Sequence, residues 1–198
     1  MHQNWQITPT TLVALVIGFT CALLGHFLPL ADGLTVLILE QIQALWLLFC
    51  GVYFTHQWLK ARPQQQNHFA AAWFASMWWL LLGRSMAWGR DYFPNIDHDA
   101  FRPIAIVLIA LPIVLLCLPQ TRRQLKGLIQ HFHWPVWLCL MVVAYFAVSQ
   151  IIESERMFQR LPPFIDPDRR DLIEELFEIP FMLFLFWINR MCYRQPKQ

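Results

Sequence analysis

The chain has 198 residues, of which 57% are hydrophobic and only 14% are charged, whereas soluble domains average about 45–50% apolar and about 25% charged residues. This composition excludes an ordinary soluble domain and predicts an all-α integral membrane protein. The net charge of +2 is too small for a protein that binds nucleic acid.

Six apolar segments of suitable length follow one another along the chain. They cover residues 9–30, 34–58, 69–90, 102–118, 134–152 and 172–190. Each has close to the ~20 residues that cross a hydrocarbon core of about 30 Å. We therefore predict one transmembrane domain over residues 1–198, a bundle of six helices with the lipid bilayer as its partner and no separate soluble domain.

Charged residues are divided unevenly between the two sides of the predicted bundle. The connections 58–69 and 118–134, read as loops on the side of the termini, contain basic residues but no Asp or Glu. The opposite side carries nearly all of the 13 acidic residues. The side of the termini has eight Lys and Arg residues against seven on the opposite side, a small excess for the rule that cytoplasmic loops are enriched in basic residues. The acidic residues, which offset those seven arginines locally, sharpen the contrast. We predict that both termini are cytoplasmic and that the acidic side is the outer side.

Three ionisable residues are predicted to share one layer inside the membrane. Glu40 and Glu178 each lie seven residues, or ~10 Å, from the outer end of their segments. Arg84 reaches the same depth if the third helix continues to Asp91. An ionised side chain at the bilayer centre costs about 2.5–3.5 kcal/mol. Glu40 is therefore expected to face the interior of the bundle, with Arg84 as its partner.

Residue spacing extends this layer into two helical faces. The third helix would place Arg84, Trp88 and Asp91 on one face, and the last helix would do the same for Asp171, Glu174 and Glu178. The residues predicted to bind a ligand are Glu40, Arg84, Trp88, Asp91, Glu174 and Glu178. The alternative is a structural ion-pair network that holds the helices together.

A short acidic segment before the fourth helix is a candidate metal site. Asp97, His98 and Asp99 carry oxygen and imidazole groups that bind divalent metals, and Glu174 and Glu178 are possible further ligands. Neighbouring loop residues seldom all face one ion, however, and no helical His motif supports them. The sequence therefore predicts no particular cofactor.

Serine nucleophiles and haem ligands are less well supported by the sequence. Ser85 and Ser149 lack the Gly-x-Ser-x-Gly and Ser-x-x-Lys contexts of known nucleophiles. We interpret them as small residues at helix contacts. His56 and His131 could together ligate haem, but histidines at the ends of spans are more often interfacial.

The end of the third helix resembles a bacterial pattern. Residues 83–94 read GRSMAWGRDYFP, which is similar to uncharacterised six-helix inner-membrane proteins with a Glu-x-Ser-Trp-Gly-Arg-like segment at the end of a middle helix. This chain departs from the pattern at Ser85, where an acid would stand, and at Ala87. The resemblance implies a location in a bacterial inner membrane and implies no activity.

These features lead to three functional hypotheses. The first is a protein that binds or transports a small polar or cationic ligand, or a lipid head group, at the outer polar layer. The second is a membrane-embedded enzyme acting on a lipid-linked substrate, with a carboxylate of that layer as general base. The third is a structural or assembly protein in which the charges only pair with one another.

The charge distribution generates a test of topology. In a background without the five native cysteines, Gln65→Cys should be shielded from an impermeant thiol reagent in intact cells and Asn95→Cys should react, because the acid-free basic side is expected in the cytoplasm. Labelling of both variants after permeabilisation is the control. The reverse pattern would place the acidic side in the cytoplasm.

Overall fold

The computed structural model describes residues 2–4, 7–61, 67–88, 98–158 and 167–194, which are almost entirely α-helical. The helices in these ranges are α1 (Pro9–Phe27), α2 (Leu34–Lys60), α3 (His68–Ser85), α4 (Arg102–Cys117), α5 (Pro119–His131), α6 (Val136–Phe158) and α7 (Arg170–Tyr193). Two three-residue strands, β1 (His2–Asn4) and β2 (His133–Pro135), pair in parallel. The predicted all-α class is confirmed.

Within the described residues, three helical segments are long and apolar enough to cross a membrane. They are Pro9–Phe27, Leu34–Lys60 and Asp99–Cys117, and α6 contains a shorter apolar segment, Val136–Ile152. Such lengths match the hydrocarbon core of a bilayer. The chain is therefore a helical membrane protein.

The chain forms two compact units, which are described separately. The first contains Met1–Gln41 and His133–Met191, and the second contains Ile42–Phe132 and Cys192–Gln198. Helices α2 and α7 each contribute residues to both units. The predicted extent of a single domain, 1–198, stays a prediction.

In the first unit, α1 packs closely against α6 and α7 through its glycines. The Tyr145 side chain lies over Gly18, and its hydroxyl donates a hydrogen bond of 2.7 Å to the carbonyl oxygen of Ala14. The Ile173 side chain occupies the space beside Gly25 in the same way. Small residues allow such close approach between membrane helices.

The core of this unit lies between α1 and α7. Cys21, Leu172 and Leu176 are buried there, and Val36 and Leu39 at the start of α2 pack against them. The spacing of Leu172 and Leu176 places both on one face of α7.

In the second unit, α3 packs against both α4 and α5. The rings of Phe54 on α2 and Trp78 on α3 stack with centroids 6.5 Å apart, and Thr55 accepts a 3.0 Å hydrogen bond from the indole of Trp79. Phe54 and Trp78 are fully buried. These aromatic contacts hold α2 and α3 together.

Helix α5 corrects the prediction that residues 118–134 form a loop. Leu118 has extended backbone, Pro119 occupies the first turn of α5, and Thr121 and Leu125 are buried one turn apart. Proline suits a helix start because the first N–H groups have no partner within the helix. The segment has too few apolar residues for a span, but enough to bury one helical face.

The glycine contacts of the first unit generate a stability prediction. Gly18→Ala should lower the free energy of unfolding by about 1–3 kcal/mol, because the new methyl group overlaps the Tyr145 ring. Gly127→Ala on α5 is the matched control. Among the described residues, no heavy atom outside the adjacent backbone of α5 and the two neighbouring residues lies within 4 Å of the added carbon there, and alanine favours the helix by about 0.5–1 kcal/mol.

Thermal unfolding of both variants in detergent measures the difference. Equal stabilities for the two variants would mean that α1 does not pack against Tyr145 as described.

Candidate functional site

The first two turns of α7 carry a cluster of carboxylates. Asp171 pairs with Arg170 at 3.3 Å and is partly exposed. Glu174, one turn further along, is only 8% exposed, and Glu178 lies half-buried another turn on. Residues four apart occupy the same helix face, so Glu174 and Glu178 form a carboxylate pair directed inwards. We call them the α7 pair.

Ser149 on α6 orients one member of this pair. Its hydroxyl is fully buried and donates a hydrogen bond of 3.2 Å to Oε1 of Glu178. A carboxylate in an apolar environment is stabilised by such donors. The full burial of Ser149 does not favour the role of nucleophile, whereas its contact with Glu178 gives it a positioning role.

Sequence reasoning interpreted Ser149 as a residue of the helix contact and did not connect it with Glu178. Both are polar side chains inside otherwise apolar segments. Each such side chain needs a hydrogen-bonding partner. That requirement was the signal that could have paired them.

Arg169 links the start of α7 to the end of α1. Its guanidinium donates to the carbonyl oxygens of Gly25 at 3.2 Å and Leu28 at 2.9 Å. The last carbonyls of a helix have no intrahelical partner and carry partial negative charge. Arg169 satisfies two of them, which fixes the position of the acidic turns that follow it. In the sequence, only the position of Arg169 beside the acidic cluster points to this contact.

Glu40 lies in the first unit but does not face its core. Its side chain is exposed, as are those of Leu37 and Ile38, while Val36 and Leu39 pack against the core cluster. The expectation that Glu40 faces the interior is wrong, because its side chain is exposed; its role as a ligand-binding residue stays a prediction. Hydropathy indicated how far along α2 Glu40 lies, but it did not indicate the direction in which the Glu40 side chain points around the helix axis.

Arg84 and Trp88 lie in the second unit, and they do not share a helical face. Helix α3 ends at Ser85, and Trp88 follows in the left-handed region with φ of 61°. The Trp88 indole folds back over Gly83, within about 3.0 Å of where a side-chain carbon would lie. Arg84 is exposed in the last turn of α3. The predicted helical spacing of these two residues is therefore wrong, and Asp91 lies outside the described residues.

The backbone after α3 is strained. Ala87 and Trp88 have φ of 44° and 61°, a conformation that costs non-glycine residues about 1–3 kcal/mol each. A bulky residue rarely adopts it. Strain of this kind often marks functional segments, so Trp88 stays a candidate ligand-binding residue. The pairing of Glu40 with Arg84 stays a prediction.

The candidate metal site is only partly described. Asp99 is exposed and pairs with Arg102 at 3.2 Å, whereas Asp97 and the side chain of His98 lie outside the described residues. Within the described ranges, no group of three His, Cys, Asp or Glu side chains is arranged to hold a metal ion. The proposed triplet stays a prediction.

The α7 pair and Ser149 offer oxygen acceptors in a half-buried setting, which suits a cation or an amine. No model of a known protein family matches the chain, and no significant match is found among curated proteins or solved structures.

The contact between α6 and α7 can be tested by a double-mutant cycle. Ser149→Ala and Glu178→Met each remove one partner, and methionine keeps the length of the glutamate side chain. We expect a coupling free energy of about 0.6–1.7 kcal/mol, the range of hydrogen bonds between membrane helices. The free energy of unfolding is measured for each variant of the purified chain in detergent.

The control cycle crosses Ser149→Ala with Glu175→Met, one turn before Glu178 on α7. Its coupling should stay below about 0.5 kcal/mol, as for residues without a shared contact. Equal coupling in the two cycles would contradict the assignment of Glu178 as the partner of Ser149.

Proposed function

We propose that the chain is a multi-pass protein of a bacterial inner membrane that binds or transports a small polar or cationic ligand, or a lipid head group. In this proposal all six predicted segments cross the membrane, and both termini are cytoplasmic. The ligand contacts the α7 pair, Glu174 and Glu178. Glu40, Arg84, Trp88 and Asp91 are the further predicted ligand-binding residues.

Six spans are supported by the positions of the helices. Three further predicted segments are helices in the structure, namely α3, α6 and α7. Of these, α3 packs against α4, and α6 packs against α1. The ring of Phe146 on α6 also contacts the ring of Phe181 on α7, and the two ring centroids are 5.0 Å apart. Helices that carry polar groups are stable in a bilayer where neighbouring helices cover those groups.

The hydrogen bond from Ser149 to Glu178 is the observation that carries the proposal. It holds a carboxylate in one orientation inside an apolar helix pair, next to the buried Glu174. Ionisable residues inside membrane helices are costly and commonly mark the path of a substrate or ion. A preoriented carboxylate pair is suited to a cationic group.

The contacts of Arg169 favour a competing function. They show that one charged residue next to the α7 pair has a structural role, since it satisfies carbonyl groups at the end of α1. A purely structural or assembly protein would use its carboxylates in the same manner. The two functions differ in whether a ligand stabilises the protein.

Ligand-dependent stability distinguishes them. Sodium, ethanolamine and choline are added separately to the purified chain in detergent at constant ionic strength, and the unfolding temperature is measured. A bound ligand should stabilise the protein by mass action, about 2.7 kcal/mol at 100 times its Kd. We expect saturable stabilisation by at least one of the three, lost in Glu178→Gln.

Glu175→Gln is the matched control, since it removes an equal charge from the same turn of α7. It should keep the ligand response. If none of the three cations stabilises the chain and Glu174→Gln and Glu178→Gln both lower its unfolding temperature, the carboxylates are structural.

A further inference from the structure

Helix α5 has one buried face and one exposed basic face. Thr121 and Leu125 are buried, and the side-chain oxygen of Gln124 accepts a hydrogen bond of 3.0 Å from the backbone N–H of Ala70. This contact caps the start of α3 and joins α5 to it. Arg123 and Lys126 are exposed on the other side of α5. The basic residues are therefore presented by a helix that is fixed in place.

The basic face of α5 lies far from Asp99, the acidic residue of its unit that the structure describes. Between residues 42 and 132, every Asp and Glu falls within 91–99, and Asp99 directly precedes α4. The 16 residues of α4 span ~24 Å, and α5 begins only after their far end. Salt screens charges over about 8–10 Å. The carboxylate Asp99 therefore does not balance Arg123 and Lys126.

Arg122 has a different role from the other two cations. Its guanidinium donates to the carbonyl oxygen of Cys117 at 3.4 Å, at the end of α4. It helps to close that helix where the backbone turns at Leu118. The exposed cations that remain for an external partner on α5 are Arg123 and Lys126.

Exposed apolar side chains adjoin this basic face. Ile129 on α5 is 39% exposed, and Val114 and Leu116 in the last turns of α4 are also exposed. These residues of α4 belong to the candidate span Asp99–Cys117, so α5 follows directly where the span ends. A helix that carries Lys and Arg beside exposed apolar side chains is suited to the lipid head groups at the end of a membrane span.

We propose that α5 is an interfacial helix that binds anionic phospholipid head groups through Arg123 and Lys126. The phosphate groups supply negative charge to this basic face, and the lipid chains cover Ile129 and the last turns of α4. Basic residues near an anionic membrane surface each strengthen binding by about fivefold. This surface is separate from the α7 pair and does not depend on the ligand proposed for it.

The test compares two spin-labelled lipids. The full chain is reconstituted in phosphatidylcholine vesicles, and electron paramagnetic resonance gives the association of spin-labelled phosphatidylglycerol relative to spin-labelled phosphatidylcholine. We expect the native chain to prefer phosphatidylglycerol and the preference to fall as salt is added. Arg123→Gln with Lys126→Gln should lower the ratio about fivefold or more, towards one.

Two variants serve as controls. Arg102→Gln removes a cation at the opposite end of α4, where Arg102 already pairs with Asp99, and should keep the preference. Arg123→Lys with Lys126→Arg keeps both charges and should keep it as well, which separates loss of charge from loss of folding. Circular dichroism checks the helix content of each.

Three results would overturn the proposal. The first is a native chain with no preference for phosphatidylglycerol. The second is a ratio that falls equally in the Arg102→Gln variant. The third is binding of a single-stranded oligonucleotide or an acidic peptide that depends on Arg123 and Lys126 while the lipid ratio does not, because the basic face would then belong to another partner.

Discussion

Hydrocarbon offers no hydrogen bonds, so a membrane helix must satisfy its polar groups from within the protein, and the first unit is organised by this requirement. Tyr145 donates to the backbone of α1, Ser149 donates to Glu178, and Arg169 donates to the last carbonyls of α1. Each bond joins two different helices. The polar groups therefore determine which faces meet, and the glycines of α1 allow that contact to be close.

The same requirement separates two kinds of charged residue in α7 and directly before it. Arg169 and Arg170 contact groups that carry negative charge, the end of α1 and the carboxylate of Asp171. Glu178 instead accepts the hydroxyl of Ser149, which fixes its orientation. In the proposed function this oriented carboxylate contacts the ligand. This difference is why we place the ligand at the second and third turns of α7 and not at its first.

Hydropathy predicted the helices well where apolar residues are continuous, as in α2 and α4, whose observed bounds lie within two residues of those predicted. It missed α5, because an amphipathic helix has a low mean hydropathy. It extended α3 to residue 90, because no pattern indicates that the Trp88 indole folds back over Gly83. Within the site, depth along a helix could be read from the sequence. Contacts between helices could not, because they depend on how each helix is rotated.

Glu40 illustrates this difference, and its exposure has a physical explanation. Side chains of an α-helix tilt towards its N-terminus, and in the proposed topology the N-terminus of α2 faces the outer side. The carboxylate of Glu40 can therefore extend along Leu37 towards the head groups, as long polar side chains near helix ends do. The free-energy cost of placing the Glu40 carboxylate in the membrane is then lower than the cost of a charge at the bilayer centre. An exposed Glu40 needs no partner inside the first unit, and it stays accessible to a ligand that approaches from the outer side.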